Sequence, residues 1–180
     1  MTQEETTKEL QKLVEDAQNG EKEAFKEIFD GTSNRLFAYA LSHTQNRDDA
    51  MDIVQDTFID LWKALKKFKY SSDQEFYGFV FLVLKRKLAK YYKSKPKTVE
   101  LDEQTMGGTY DLEYEDYRYL MKSVGSLSAK YQDVLKLRYW SDMTFAEISS
   151  ILNVKEATAK VWHHRALQKL KITYMQNNES

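Results

Sequence analysis

Pro96 is the only proline among 180 residues, and glycine occurs six times. A chain so poor in backbone breakers, and rich in Leu, Lys, Glu, Ala and Gln, is directed toward helix rather than sheet. Apolar residues recur at helical spacing almost throughout. Leu10, Leu13, Val14 and Ala17 mark an amphipathic helix over residues 7–18, ended by Asn19-Gly20. A short helix over residues 21–30 turns Phe25, Ile28 and Phe29 inward and is broken by Gly31. Thr32 or Ser33 caps the next one. A long helix over residues 48–67 carries the stripe Ile53, Val54, Phe58, Leu61, Trp62 and Leu65, with Asp48, Asp49 and Asp52 at the end where the helix dipole favours anions. Trp62 is expected to anchor a core. Another helix occupies residues 74–93, and two more fill residues 112–124 and 127–139. The pattern predicts an all-α chain of two helical domains, residues 1–94 and 113–176. They are joined by a flexible acidic linker over residues 95–112 that contains Pro96, Gly107 and Gly108.

Residues 144–171 read as two helices around a tight turn. Thr144 followed three residues later by Glu147 is a capping-box pattern, and Phe145, Ile148, Ile151 and Leu152 form the apolar face of the first helix. Asn153 suits a left-handed turn. In the second helix Val161, Leu167 and Leu170 form the expected apolar stripe, while Lys160, Arg165, Lys169 and Lys171 take other faces. This is the layout of a helix-turn-helix, whose second helix must pack on the first and still offer polar groups to a major groove. Periodicity alone fits an ordinary amphipathic helix pair equally well.

There is no cysteine, which excludes disulfides, thiol catalysis and cysteine-bound zinc and fits a reducing, cytoplasmic setting. The N-terminus is polar and acidic, unlike a signal peptide, and no apolar run is long enough to span a bilayer, so no stable membrane insertion is expected. His163 and His164 are adjacent rather than four apart, which does not suit chelation on one helix face. No metal, no cofactor and no catalytic set is predicted. The net charge of −1 conceals a segregation: residues 85–97 hold seven cations and no acid, and residues 98–116 hold seven acids and no cation.

The stretch Asp48-Asp-Ala-Met-Asp-Ile-Val-Gln-Asp-Thr-Phe-Ile-Asp-Leu-Trp62 resembles the helix with which bacterial sigma factors grip the RNA polymerase clamp. Ala50, Asp52, Ile53, Val54, Gln55, Asp56, Thr57, Phe58, Leu61 and Trp62 fit that pattern, with Met51 and Asp56 as modest departures. Residues 76–89 resemble the helix that follows it, with Tyr77, Phe79, Arg86 and Lys90 in place of the usual residues. Residues 127–171 resemble the promoter-reading C-terminal domain, with Trp162 and His163 where arginine and leucine are usual. Size and two-domain build are similar to the extracytoplasmic-function (ECF) group. The resemblance implies core RNA polymerase as a partner, recognition of the −35 element as duplex DNA, melting of the −10 element as single-stranded DNA, and restraint by an anti-sigma factor.

Candidate residues follow from chemistry and resemblance together. Asp52, Gln55, Asp56 and Asp60 form an acidic face suited to an arginine-bearing partner; without the resemblance it reads as a solvated helix face. Lys66, Lys67, Tyr70, Ser71, Ser72 and Tyr77 supply the cations, hydroxyls and aromatic faces that capture unstacked bases, and Lys85, Arg86 and Lys90 would follow the phosphates beside them. Phe68 and Phe76 read as core staples of the loop. Lys155, Glu156, Thr158 and Lys160 at the start of the last helix face base edges, and Arg165 takes a phosphate or a structural partner. Two other readings stay open on the residues alone. One is a stand-alone helix-turn-helix regulator; the other is a helical adaptor with a vestigial DNA-binding motif.

Overall fold

The computed structural model describes residues 3–94 and 112–178. Eight helices are present among them: α1 (Gln3–Gln18), α2 (Lys22–Thr44), α3 (Arg47–Leu65), α4 (Asp73–Ser94), α5 (Leu112–Gly125), α6 (Ala129–Tyr139), α7 (Phe145–Leu152) and α8 (Glu156–Asn178). The expected linker lies outside the described residues, apart from Leu112, which opens α5.

Local chemistry fixes several of the helix ends. Asn46 caps α3 by accepting from the Asp49 amide at 2.9 Å, and Gln45 before it takes the left-handed conformation (φ 54°) that ends α2. Thr144 closes the capping box with Glu147, and Asn153 turns left-handed (φ 52°, ψ 52°) after α7, as the sequence predicts. Gln18 donates to the carbonyls of Leu65 (2.9 Å) and Phe68 (2.6 Å), so α1 satisfies the C-terminal end of α3 and holds the start of the α3–α4 loop.

Several expectations about helices fail for reasons of packing. Gly31 does not break a helix: α2 runs through it, with Ile28 and Thr32 buried on either side. The Thr32 hydroxyl donates to the Ile28 carbonyl at 2.6 Å, so the residue expected to cap is satisfied inside the helix. Continuous burial outweighs the cost of about 1 kcal/mol for one helical glycine. Phe29 is 40% exposed instead of inward. In α8 the inward stripe is Ala159, Trp162, His163, Ala166 and Leu170, whereas Val161 (45% exposed) and Leu167 (38%) face outward. The two alanines let α8 approach α6 and α7 closely, and Val161, two residues from Ala159, necessarily points away.

Helices α1–α4 form one bundle and α5–α8 a second, and the two pack together along α4 and α7. A single apolar cluster runs through both, from Leu36, Leu61, Phe76, Phe81 and Leu84 to Val134, Leu137, Met143 and Ile148. Trp62 is only half-buried, with its ring edge against Phe25 at 4.8 Å. Among the described residues the fully buried aromatic side chains are instead Tyr39, Phe76 and Phe81.

Candidate nucleic-acid and partner interfaces

Burial of Ile53, Val54, Phe58 and Leu61 fixes the rotation of α3, and that rotation leaves Asp52, Gln55 and Asp56 exposed, with Asp60 one turn on. These side chains do not stand alone. Lys87 of α4 reaches Asp60 at 2.5 Å and Asp56 at 3.7 Å. The hydrogen bond to Lys87 holds the Asp60 carboxyl below the usual range and raises Lys87 in turn. Asp52, Gln55 and Asp56 line a cleft of about 360 Å³ together with Lys87, Lys90 and Tyr91. Lys90, expected with the −10 set, is therefore beside the acidic face, about 20 Å along α4 from Tyr77 at 1.5 Å per residue. Sequence reading did not single out Lys87, because its two acids lie one turn apart on a different helix.

The α3–α4 junction gathers Lys66, Lys67, Tyr70, Ser71, Ser72 and Tyr77. Lys66 and Lys67 are exposed. Phe68 stacks on Phe79 (4.6 Å) and meets Phe76 edge-on (5.9 Å), the stapling role expected for Phe68 and Phe76. Tyr70 is half-buried against Phe68, its hydroxyl donates to Asp73, and burial followed by that bond raises its pKa. The Ser71 hydroxyl donates to Glu75, and Ser72 accepts from the Glu75 amide at 3.2 Å as the first turn of α4 forms. The loop is thus pre-ordered, with its hydroxyls already engaged. Tyr77 is half-buried beneath Arg35, whose guanidinium carbon lies 5.3 Å from the ring centre, and burial raises the Tyr77 pKa. Arg86 is exposed, whereas Lys85 is bound at 2.8 Å to Asp133 of α6.

At the start of α8, Lys155 and Glu156 are exposed and Thr158 is half-buried against the turn. Lys160 pairs with Glu156 at 2.6 Å and lies 5.9 Å from the Phe145 ring centre. Arg165 is exposed two turns further on. Trp162 packs inward with Lys130 over its ring (5.4 Å), and His163 shares a hydrogen bond of 3.1 Å with Tyr139. Burial, then Arg138, lowers the His163 pKa. Both residues thus serve the packing of α8. Among the described residues no group of three or more His, Cys, Asp or Glu side chains could hold a metal ion. No described helix is long and apolar enough to cross a membrane.

Residues 28–98 match the family described as Sigma-70 region 2, and residues 117–170 match Sigma-70, region 4; together the matches cover more than half of the chain. The chain belongs to the sigma-70 family. Its function is that of a sigma factor, a promoter-directing partner of RNA polymerase, and such factors initiate transcription without catalysing it. Within the family it falls in the ECF group. It is 24% identical over 155 residues to the ECF sigma factor SigM of Bacillus subtilis, covering 82% of this chain and 93% of SigM. It is 22% identical over 170 residues to the ECF sigma factor BldN of Streptomyces coelicolor, covering 89% of this chain but only 64% of BldN. The fold is similar to that of CnrH, solved in complex with the cytosolic domain of CnrY: TM-score 0.70, 20% identity, 93% of this chain and 97% of that one. It is also similar to that of the sigma factor RpoE of Bartonella quintana, solved with the anti-sigma factor NepR: TM-score 0.60, 21% identity, 82% and 94%.

Proposed function

We propose that this sigma factor divides its work between a unit over residues 1–94, which binds core polymerase and opens the −10 element, and a unit over residues 113–176, which reads the −35 element. Residues 95–112 join the two. The observation that carries the reading is the rotation of α3, which buries its apolar stripe and leaves Asp52, Gln55 and Asp56 on a rigid outward face. A rigid polar face freezes few rotamers on docking, so its hydrogen bonds to polymerase arginines come at low entropic cost. Asp60 joins this face when Lys87 yields to a partner cation.

The exposed cations Lys66, Lys67 and Arg86 supply sequence-independent attraction to the phosphates of the melted strand, and Lys85 and Lys90 extend that track. Tyr70, Ser71, Ser72 and Tyr77 line the base-capturing loop. The loop enters the encounter already ordered, which lowers the cost of gripping a base. In α8, Lys155, Glu156, Thr158 and Lys160 face base edges and Arg165 faces the backbone. Bond formation stays with the polymerase. We assign a cytoplasmic location and an anti-sigma partner, by analogy with the relatives solved in such complexes.

Run-off transcription with bacterial core enzyme and pooled genomic fragments tests the whole reading. Adding the protein yields discrete new transcripts. Asp52→Arg weakens co-purification with core enzyme while leaving the far-ultraviolet circular dichroism unchanged. Transcription indifferent to the protein, together with tight duplex binding by the protein alone, would mean a stand-alone regulator instead.

A further inference from the structure

Gln18, the last residue of α1, precedes the residues that match Sigma-70 region 2 and belongs to none of the assigned surfaces. Its side-chain amide gives both hydrogens to the α3–α4 junction, one to the Leu65 carbonyl at 2.9 Å and one to the Phe68 carbonyl at 2.6 Å. Leu65 closes α3, so its carbonyl is one of those that a helix end leaves without an intrahelical partner. The Phe68 amide reaches the same oxygen at 2.9 Å, which folds residues 65–68 into one turn. Gln18 therefore clamps both ends of that turn. Between the ends stand Lys66 and Lys67, both exposed.

Other ties in the junction are local. Tyr70 donates to Asp73 and Ser71 to Glu75, three and four residues on. Bonds of that kind hold the shape of the loop but move with it. The clamp reaches in from 47 and 50 residues away, on a helix whose Val14 and Ala17 are buried in the core. It fixes where the turn sits as well as how it is folded. From the Phe68 backbone the constraint passes to the Phe68 ring, stacked on Phe79, and from there edge-on to the Tyr70 ring at 6.5 Å.

We infer that Gln18 is a positioning residue for strand opening: it fixes the turn that presents Lys66 and Lys67, and through Phe68 the Tyr70 ring, to the −10 strand. The inference rests on the −10 assignment of Lys66, Lys67 and Tyr70. A loop already in its binding geometry loses less free energy to ordering when it captures a base. Without the clamp the two cations and the ring sample more positions, and capture slows. Docking to polymerase through the outward face of α3 does not involve the clamp.

The test uses holoenzyme assembled from bacterial core polymerase and the full chain, with pooled genomic fragments as template. Permanganate reactivity of unpaired thymines gives the rate of strand opening, and co-purification gives core affinity. Gln18→Met keeps the length of the side chain and removes both donors. Gln18→Glu keeps its shape and sets a carboxylate against two carbonyl oxygens. Opening slows about tenfold in Gln18→Met and further in Gln18→Glu, while core affinity stays within about twofold of the wild type. Val14→Ala is the control for stability, since it leaves a cavity beneath the same helix and touches neither carbonyl. It lowers the urea midpoint at least as far as Gln18→Met and leaves the opening rate unchanged.

Opening that slows as much in Val14→Ala as in Gln18→Met overturns the inference, because Gln18 then acts through stability alone. A loss of core affinity that matches the loss of opening overturns it too, and so does an opening rate indifferent to both Gln18 variants. Should Gln18→Met fold poorly, the polar and equally sized Gln18→Glu decides. Tyr70→Ala separates the two layers. If it slows opening and the Gln18 variants do not, the −10 assignment stands and the clamp does not. If it opens promoters as fast as the wild type, the −10 assignment falls and takes the inference with it, as does wild-type holoenzyme that opens no fragment.

Discussion

Asp133 meets side chains from three helices: Tyr39 and His43 of α2, Lys85 of α4 and Lys136 of its own α6. His43 is the odd member. Its Nε2 lies 3.8 Å from Asp133, yet burial and the neighbouring Lys136 lower its pKa from 6.5 to about 3. A neutral ring with a buried, unbonded Nε2 is therefore the state at neutral pH, and the contact is no ion pair. The consequence for stability has a definite sign. Between pH 3 and 6.5 the unfolded chain binds a proton at His43 that the folded chain refuses, so stability falls as the solution is acidified through that window. Tyr39, whose ring lies 4.5 Å from His43, stays protonated there, and Lys136 stays charged in both states. On moving from pH 7.5 to pH 5, the wild type should lose roughly 2 kcal/mol more than His43→Gln in urea unfolding. Equal losses would mean that the folded ring accepts the proton. None of this cluster was legible in the sequence. Tyr39 and Asp133 are 94 residues apart, and nothing local to either residue marks the other as its partner.

The first helix and the turn of the helix-turn-helix, by contrast, were legible to within a residue or two, because their signals are local. Thr144 and Glu147 are three residues apart and bond each other's backbone amides at 3.2 and 2.7 Å. Asn153 takes the left-handed turn, a conformation that asparagine tolerates better than most residues, and its amide closes the end of α7. Thr144→Ala should cost about 1 kcal/mol in chemical denaturation. Because Glu147 would lose its restraint and hold Arg35 less firmly, the loss should be smaller when Arg35 is already alanine, a coupling that a double-mutant cycle measures. Strict additivity would mean that capping and the contact between bundles are independent. The misreadings at this scale have one cause. Gly31 looked like a helix end and Val161 and Leu167 looked like a buried stripe, because local pattern cannot know which face a neighbouring helix will cover. Burial of Ile28 and Thr32 keeps α2 whole, and Ala159 with Ala166 gives α8 a closer seat than the larger residues would.

At the scale of the molecule, the segregation of charge along the chain was legible, and so was the presence of two helical units; that they close upon each other was not. The closed arrangement couples the halves thermodynamically, since the apolar cluster is continuous from Leu36 and Phe81 to Leu137 and Ile148. The three tryptophans can report on this separately. Trp62 sits against Phe25 in the first bundle, whereas Trp140 and Trp162 are half-buried in the second. With Trp140 and Trp162 both changed to Phe, fluorescence follows the first bundle; with Trp62→Phe it follows the second. In urea the two probes should give one common midpoint, the signature of cooperative unfolding. Adding Asp133→Asn removes the acceptor charge facing Lys85 and should separate the midpoints, the second bundle melting first, because it has the shorter helix α7 and fewer fully buried large side chains. Two midpoints already distinct before that substitution would show that the seam contributes too little to couple the bundles.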